Sequence, residues 1–140
     1  MYLIDSSVLI DYFRNIENRP VIFFDMINRE KLPYGITSVI YQEVLQGAAS
    51  EKDYQLIKSC LSTQQFFHPQ DNLATYEAAA FLYYKCRRQG ITIRSTIDCL
   101  ISQICIEHQL VLVHHDVDYR QIQTIAPELQ LFDQSKINRL

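Results

Sequence analysis

Leu110-Val111-Leu112-Val113 is an unbroken apolar run closed by His114-His115-Asp116. A strand with one wet face alternates apolar and polar residues, so a run without alternation marks a strand buried on both faces of a parallel sheet. Tyr2-Leu3-Ile4 before Asp5, Tyr34-Gly35-Ile36-Thr37 after Pro33, and Gln65-Phe66-Phe67-His68 before Pro69 read as further short strands. Leu129-Gln130-Leu131-Phe132 reads as an edge strand. Between them the apolar spacing turns helical. Helices are predicted over 6–13, over 21–30 after a polar break at 15–20, over 39–47 with Ser38 as cap, and over 50–62. A long helix capped by Asp71 or Asn72 runs to Gln89, another runs from Ser95 or Thr96 to His108, and a short helical turn reaches Ile125. Short strands alternating with helices predict an α/β fold with a parallel sheet covered on both faces. The working edge of such a sheet lies beyond the carboxyl ends of its strands.

The chain has 140 residues, enough for one domain with a proper core and no staples. Its net charge of −3 argues against a protein held on nucleic acid by bulk charge, but leaves room for a local basic strip. Cys60, Cys86, Cys99 and Cys105 form no C-x-x-C pair and no zinc pattern with the histidines, and are expected to be small reduced core residues. With no signal peptide in the sequence and no apolar run near the roughly 20 residues that span a bilayer, a cytoplasmic protein is expected.

Acids stand at the informative places. Asp5 follows the first strand, Glu43 lies beside the apolar face of its helix, Asp98 is in the first turn of an otherwise apolar helix, and Asp116 follows the buried strand. Each has an ordinary reading. Asp5 can cap the helix after it, Ser95-Thr96-Ile97-Asp98 fits a capping box, Glu43 can be a solvated helix residue, and Asp116 with Asp118 can form a turn. Taken together, at strand ends, they point to a metal-dependent hydrolase of phosphodiesters. Carboxylates gathered within a few ångströms repel unless a cation neutralises them, and Mg²⁺ or Mn²⁺ takes oxygen ligands. The hydroxyls of Ser6, Ser7, Ser38 and Thr96 are placed to hold carboxylates or bound water.

Four segments carry a resemblance: Leu3-Ile4-Asp5-Ser6-Ser7-Val8-Leu9-Ile10, then 36–47 from Ile36 to Gly47, then Asp98-Cys99-Leu100-Ile101, then 112–119 from Leu112 to Tyr119. In this order and spacing the chain resembles a PIN-domain ribonuclease of the VapC type, the toxins of bacterial toxin–antitoxin pairs. The resemblance implies a single-domain three-layer α/β/α sandwich with a central parallel sheet over 1–132, followed by a polar tail over 133–140. It implies a Mg²⁺- or Mn²⁺-dependent endoribonuclease with Asp5, Glu43, Asp98 and Asp116 as its catalytic acids. Asp118 falls on an additional acid, a supporting ligand, so that Asp5, Asp98, Asp116 and Asp118 would hold the metal. It also implies an RNA substrate, a homodimer, and an antitoxin whose arm crosses the active-site groove, with Tyr12, Phe13, Tyr83 and Tyr84 as candidate surface residues that core packing explains equally well.

Two positions depart from the family's commonest pattern. His115 stands where Asn or Arg is frequent, and Tyr119 stands where Phe is usual, a mild change in the core. If the strand continues, His114 and His115 point to opposite faces and do not act as a pair; His68, His108 and His114 are expected to be structural. Lys85, Arg87, Arg88 and Arg94 form one basic cluster, either a solvated helix end or a contact for RNA phosphates. The rival from another class is a non-catalytic α/β module that binds RNA or protein; loss of an acid would favour it, and none is missing. A phosphotransfer fold fits poorly, since Asp5-Ser6-Ser7 lacks D-x-D and no lysine lies between Lys85 and Lys136.

Overall fold

The computed structural model describes residues 1–133 and 135. Apart from Asp133 and Ser135, the expected tail over 133–140 lies outside the described residues. In chain order the elements are β1 (Tyr2–Ile4), α1 (Ser6–Phe13), α2 (Arg19–Arg29), β2 (Tyr34–Ile36), α3 (Ser38–Gln46) and α4 (Glu51–Leu61). They continue as β3 (Gln65–Phe66), α5 (Ala74–Arg88), α6 (Thr96–His108), β4 (Val111–Val113), α7 (Asp118–Ile125) and β5 (Gln130–Leu131).

The strands form one five-stranded sheet in the order β3-β2-β1-β4-β5, and every pairing is parallel. Leu3 pairs with Leu112 and Ile4 with Val113 at its centre, and all four side chains are fully buried. Helices α1 to α4 pack along the chain with one another, as do α5, α6 and α7. Right-handed crossovers put the two groups on opposite faces, which makes the predicted three-layer sandwich. The chain leaves β1 toward β2 on one side and returns to β4 on the other. The crevice between the carboxyl ends of β1 and β4 is therefore the topological switch point.

Helix starts show where local chemistry was misread. Helix α2 begins at Arg19, inside the stretch expected to be a break, because Asn18 caps it through Val21 N at 3.0 Å and Pro20 sits in its first turn. There proline loses no hydrogen bond. Thr37, not Ser38, caps α3, its hydroxyl accepting from Ile40 N at 3.1 Å. Asp71 does hold the start of α5, accepting from Leu73 N and Ala74 N at 2.9 and 2.6 Å. The turn before Ile125 is a full helix, α7, which begins at Asp118. Cys86, Cys99 and Cys105 are buried as expected, but Cys60 is exposed on the outer side of α4.

Gly35 marks the tightest point of the sheet. A Cβ there would lie 2.7 Å from the Gln65 carbonyl oxygen and would also strike the Phe67 ring. The backbone does not yield cheaply, nor does a half-buried packed ring, so Gly35→Ala is expected to lower folding stability by about 1–3 kcal/mol, read by urea unfolding. An unchanged midpoint would mean that β2 and β3 are not held this closely.

Candidate active site

The switch-point crevice collects the acids. Asp5 directly follows β1, its backbone N–H tied to the Val113 carbonyl at 2.9 Å, and its carboxylate is almost fully buried. Oδ2 accepts from Ser7 N at 3.1 Å and from the Ser7 hydroxyl at 2.6 Å, so Asp5 does cap α1. That occupies only one oxygen. Oδ1 faces the crevice and accepts from the Tyr119 hydroxyl at 2.8 Å. Ser7 in turn accepts from His115 N at 3.0 Å, which ties the loop after β4 to the start of α1.

Asp98 lies in the first turn of α6, and the capping-box reading is not realised: Ser95 makes no side-chain cap bond. The Asp98 carboxylate turns inward, with Oδ1 accepting from Tyr119 at 3.3 Å. Burial, then the negative charge of Asp5, Asp116 and Asp118, pushes its carboxyl up to about 7. Asp98, Asp116 and Asp118 each place one oxygen within 4.8 Å of the others. Asp5 joins this group through the shared Tyr119 hydroxyl. Glu43 stands behind Asp5 on α3. Burial first and Asp5 second raise its carboxyl, a hydrogen bond with Ser6 opposing them. Glu43 Oε1 is buried and has no hydrogen-bond partner among the described residues.

These features fit a hard divalent cation. The donor set is all carboxylate oxygen, and one acid in it is held far above its ordinary range.

Arg94 lies at the acid cluster, not with the basic residues it follows in sequence. Its Nη2 lies 2.8 Å from Asp116 Oδ1, and its Nε and backbone N–H lie 3.2 and 3.1 Å from Asp118 Oδ2. Lys85 and Arg87 instead lie over the rings of Phe81 and Tyr84 on the exposed side of α5. The expected single basic cluster is thus divided between a helix end and the acid site. His114 is buried, its Nδ1 accepting from Asp116 N at 3.2 Å, whereas His115 is exposed with Nδ1 3.5 Å from Asp11. β4 ends at Val113, so no strand sets the two rings on opposite faces, but one is buried and the other exposed. Burial lowers the His114 pKa, in keeping with a neutral ring that accepts. His108 meets the His68 carbonyl at 2.8 Å. Ser38 and Thr96 are exposed at the first positions of their helices.

Comparison with known proteins bears on the family and the fold. A family profile described as PIN domain matches residues 2–125. The chain belongs to the PIN domain family. Among curated PIN relatives, the VapC ribonuclease Mb1587 of Mycobacterium bovis and ribonuclease VapC11 of Mycobacterium tuberculosis are each 29% identical over 127 residues. Each alignment covers 90% of this chain and 94% of the relative. Among solved structures, VapBC-1 from nontypeable Haemophilus influenzae superposes with a TM-score of 0.70 at 19% identity, covering 96% of this chain and 98% of that one. DNA-bound VapBC from Salmonella typhimurium gives 0.71 at 16% identity, covering 95% and 97%. At such identities the structures speak for the fold alone. The α/β sandwich expected of a VapC-like PIN domain is the fold observed, and among the described residues no helix is long and apolar enough to cross a membrane.

Proposed function

We propose that this PIN domain is a divalent-metal-dependent endoribonuclease, the toxin of a toxin–antitoxin pair. The observation that carries the reading is the convergence of Asp98, Asp116 and Asp118 within 4.8 Å, beside buried Asp5 and half-buried Glu43. The VapC ribonucleases to which it is similar support the substrate class.

In this reading Asp5, Asp98, Asp116 and Asp118 hold Mg²⁺ or Mn²⁺. When bound, such an ion supplies charge stabilisation and lowers the pKa of water. The protein's own groups do the rest. Ser7 fixes the Asp5 carboxylate. Glu43, with its undonated Oε1 and raised pKa, takes the proton of the attacking water as general base. Ser38 and Thr96, exposed at the starts of α3 and α6, are assigned to water or substrate at the rim. Arg94, with a side chain 68% exposed, meets a phosphate of bound RNA, and Lys85, Arg87 and Arg88 at the end of α5 are assigned a separate phosphate contact. The partners assigned are RNA, a second copy of this chain and an antitoxin, in the cytoplasm.

The test is incubation of the purified chain, freed of any co-purifying partner, with total cellular RNA in Mg²⁺, Mn²⁺ or EDTA. Discrete fragments that require metal are expected. Intact RNA together with no metal binding would leave a binding module instead.

Arg94 adds a further expectation. Its guanidinium spans Asp116 and Asp118, so an incoming dication must share those carboxylates with it. Arg94→Gln is expected to tighten Mn²⁺ binding by about 2- to 5-fold in calorimetry, the range set by a partly exposed ion pair. Weaker binding in the variant would make Arg94 a partner of the metal state, not its competitor.

A further inference from the structure

Tyr119 was expected to be a mild substitution in the core, and half of that expectation holds. Its ring is fully buried and packs against His114 at 5.1 Å between centroids. A phenylalanine would fill that space. The hydroxyl is what needs a reason, because burying a phenol oxygen is costly unless it finds partners. Its partners are Asp5 Oδ1 at 2.8 Å and Asp98 Oδ1 at 3.3 Å, acids carried by the end of β1 and the start of α6. A phenol is protonated at neutral pH, so the hydroxyl is the donor to both acids.

We propose that the Tyr119 hydroxyl is a positioning group that clamps Asp5 and Asp98 into the geometry of the bound state, an inference that rests on the metal-site reading above. Asp5 is then held at both oxygens, by Ser7 on one and Tyr119 on the other, and cannot rotate. Asp98 is drawn toward a carboxylate that would otherwise repel it. One turn of α7 thus does two things: Asp118 at its start enters the acid cluster, and Tyr119 braces Asp5 and Asp98. Hydrogen bonds behind a metal's ligands fix their orientation before the ion arrives, so that ordering is complete at folding and not deferred to binding.

The test is Mn²⁺ calorimetry on wild type, Tyr119→Phe and Asp98→Asn, each first shown to be folded by circular dichroism in EDTA. Tyr119→Phe is expected to raise the Mn²⁺ Kd by about 10-fold with its fold retained. A Kd within twofold of wild type, while Asp98→Asn loses binding, would overturn the clamp and leave the metal site standing. Undiminished binding by Asp98→Asn would overturn the metal site and the clamp with it. Should Tyr119→Phe not fold, 3-fluorotyrosine placed at 119 alone gives a second readout. Its fluorine resonance is expected to move on Mg²⁺ addition and to saturate with the binding curve; a resonance that does not move would refute the clamp.

Discussion

Asp98→Asn is expected to abolish RNA cleavage, a fall of at least about 10³-fold, because a carboxylate that would hold the dication is lost, and with it the positive charge the dication brings to the transition state. The same change should leave the metal-free protein as stable as wild type or more so. In wild type the Asp98 carboxyl is raised from 3.8 to about 7, by burial first and by Asp5, Asp116 and Asp118 after it. Between those two values the folded chain holds a proton that the unfolded chain has released. Stability in EDTA therefore falls as pH rises through this window and stays reduced above it. Asparagine has the carboxylate's shape and no proton to lose, so the variant lacks this fall. Thermal unfolding of both proteins in EDTA from about pH 4 to pH 8 reads the difference, which should grow with pH in favour of Asn. If the two curves stay parallel, Asp98 does not sit among like charges as the structure places it. If cleavage survives, the carboxylate site is not the catalyst.

How much of this could be read from the chain depends on the range of the interaction. The sheet was legible because Leu110 to Val113 and Tyr2 to Ile4 are apolar on both faces, and because β-α alternation leaves few topologies. Asp5 and Asp116 were legible because strand ends are where such sheets work. The errors concern side chains whose partners are remote in sequence. Arg94 looks like a neighbour of Arg87 and Arg88 in the chain, yet the turn after α5 carries it to Asp116 and Asp118. Tyr119 was correctly buried, but no local pattern shows that its hydroxyl meets acids more than 20 and more than 110 positions away; the separations are 21 and 114. Ser38 and Thr37 both suit a cap, and only the backbone turn at Thr37 chooses between them. Cys60 was misjudged because α4 is amphipathic and the cysteine falls on its wet side.

Glu43→Gln is the sharpest probe of how labour is divided in the site. Three readings of Glu43 predict different results. A solvated helix residue would tolerate glutamine, with cleavage near wild type. A direct metal ligand would lose metal affinity as Asp98→Asn does. A general base would keep metal affinity and lose turnover. The geometry favours the last. Glu43 lies outside the three-carboxylate group that closes to 4.8 Å, yet it is near enough to Asp5 for that charge to raise its pKa. Its Oε1 is buried with no donor, so a proton arriving there would relieve an existing cost. Glutamine preserves the shape and cannot accept that proton as a carboxylate does. Turnover is expected to fall by about 10²–10⁴-fold, the usual worth of a positioned base, while the Mn²⁺ Kd moves by less than about threefold. Stability in EDTA at neutral pH should be unchanged or improved, since a buried charge next to Asp5 is gone. Single-turnover cleavage beside Mn²⁺ calorimetry separates the cases. A loss of metal affinity matching that of Asp98→Asn would move Glu43 into the ligand set. Retained turnover would return it to the surface of its helix.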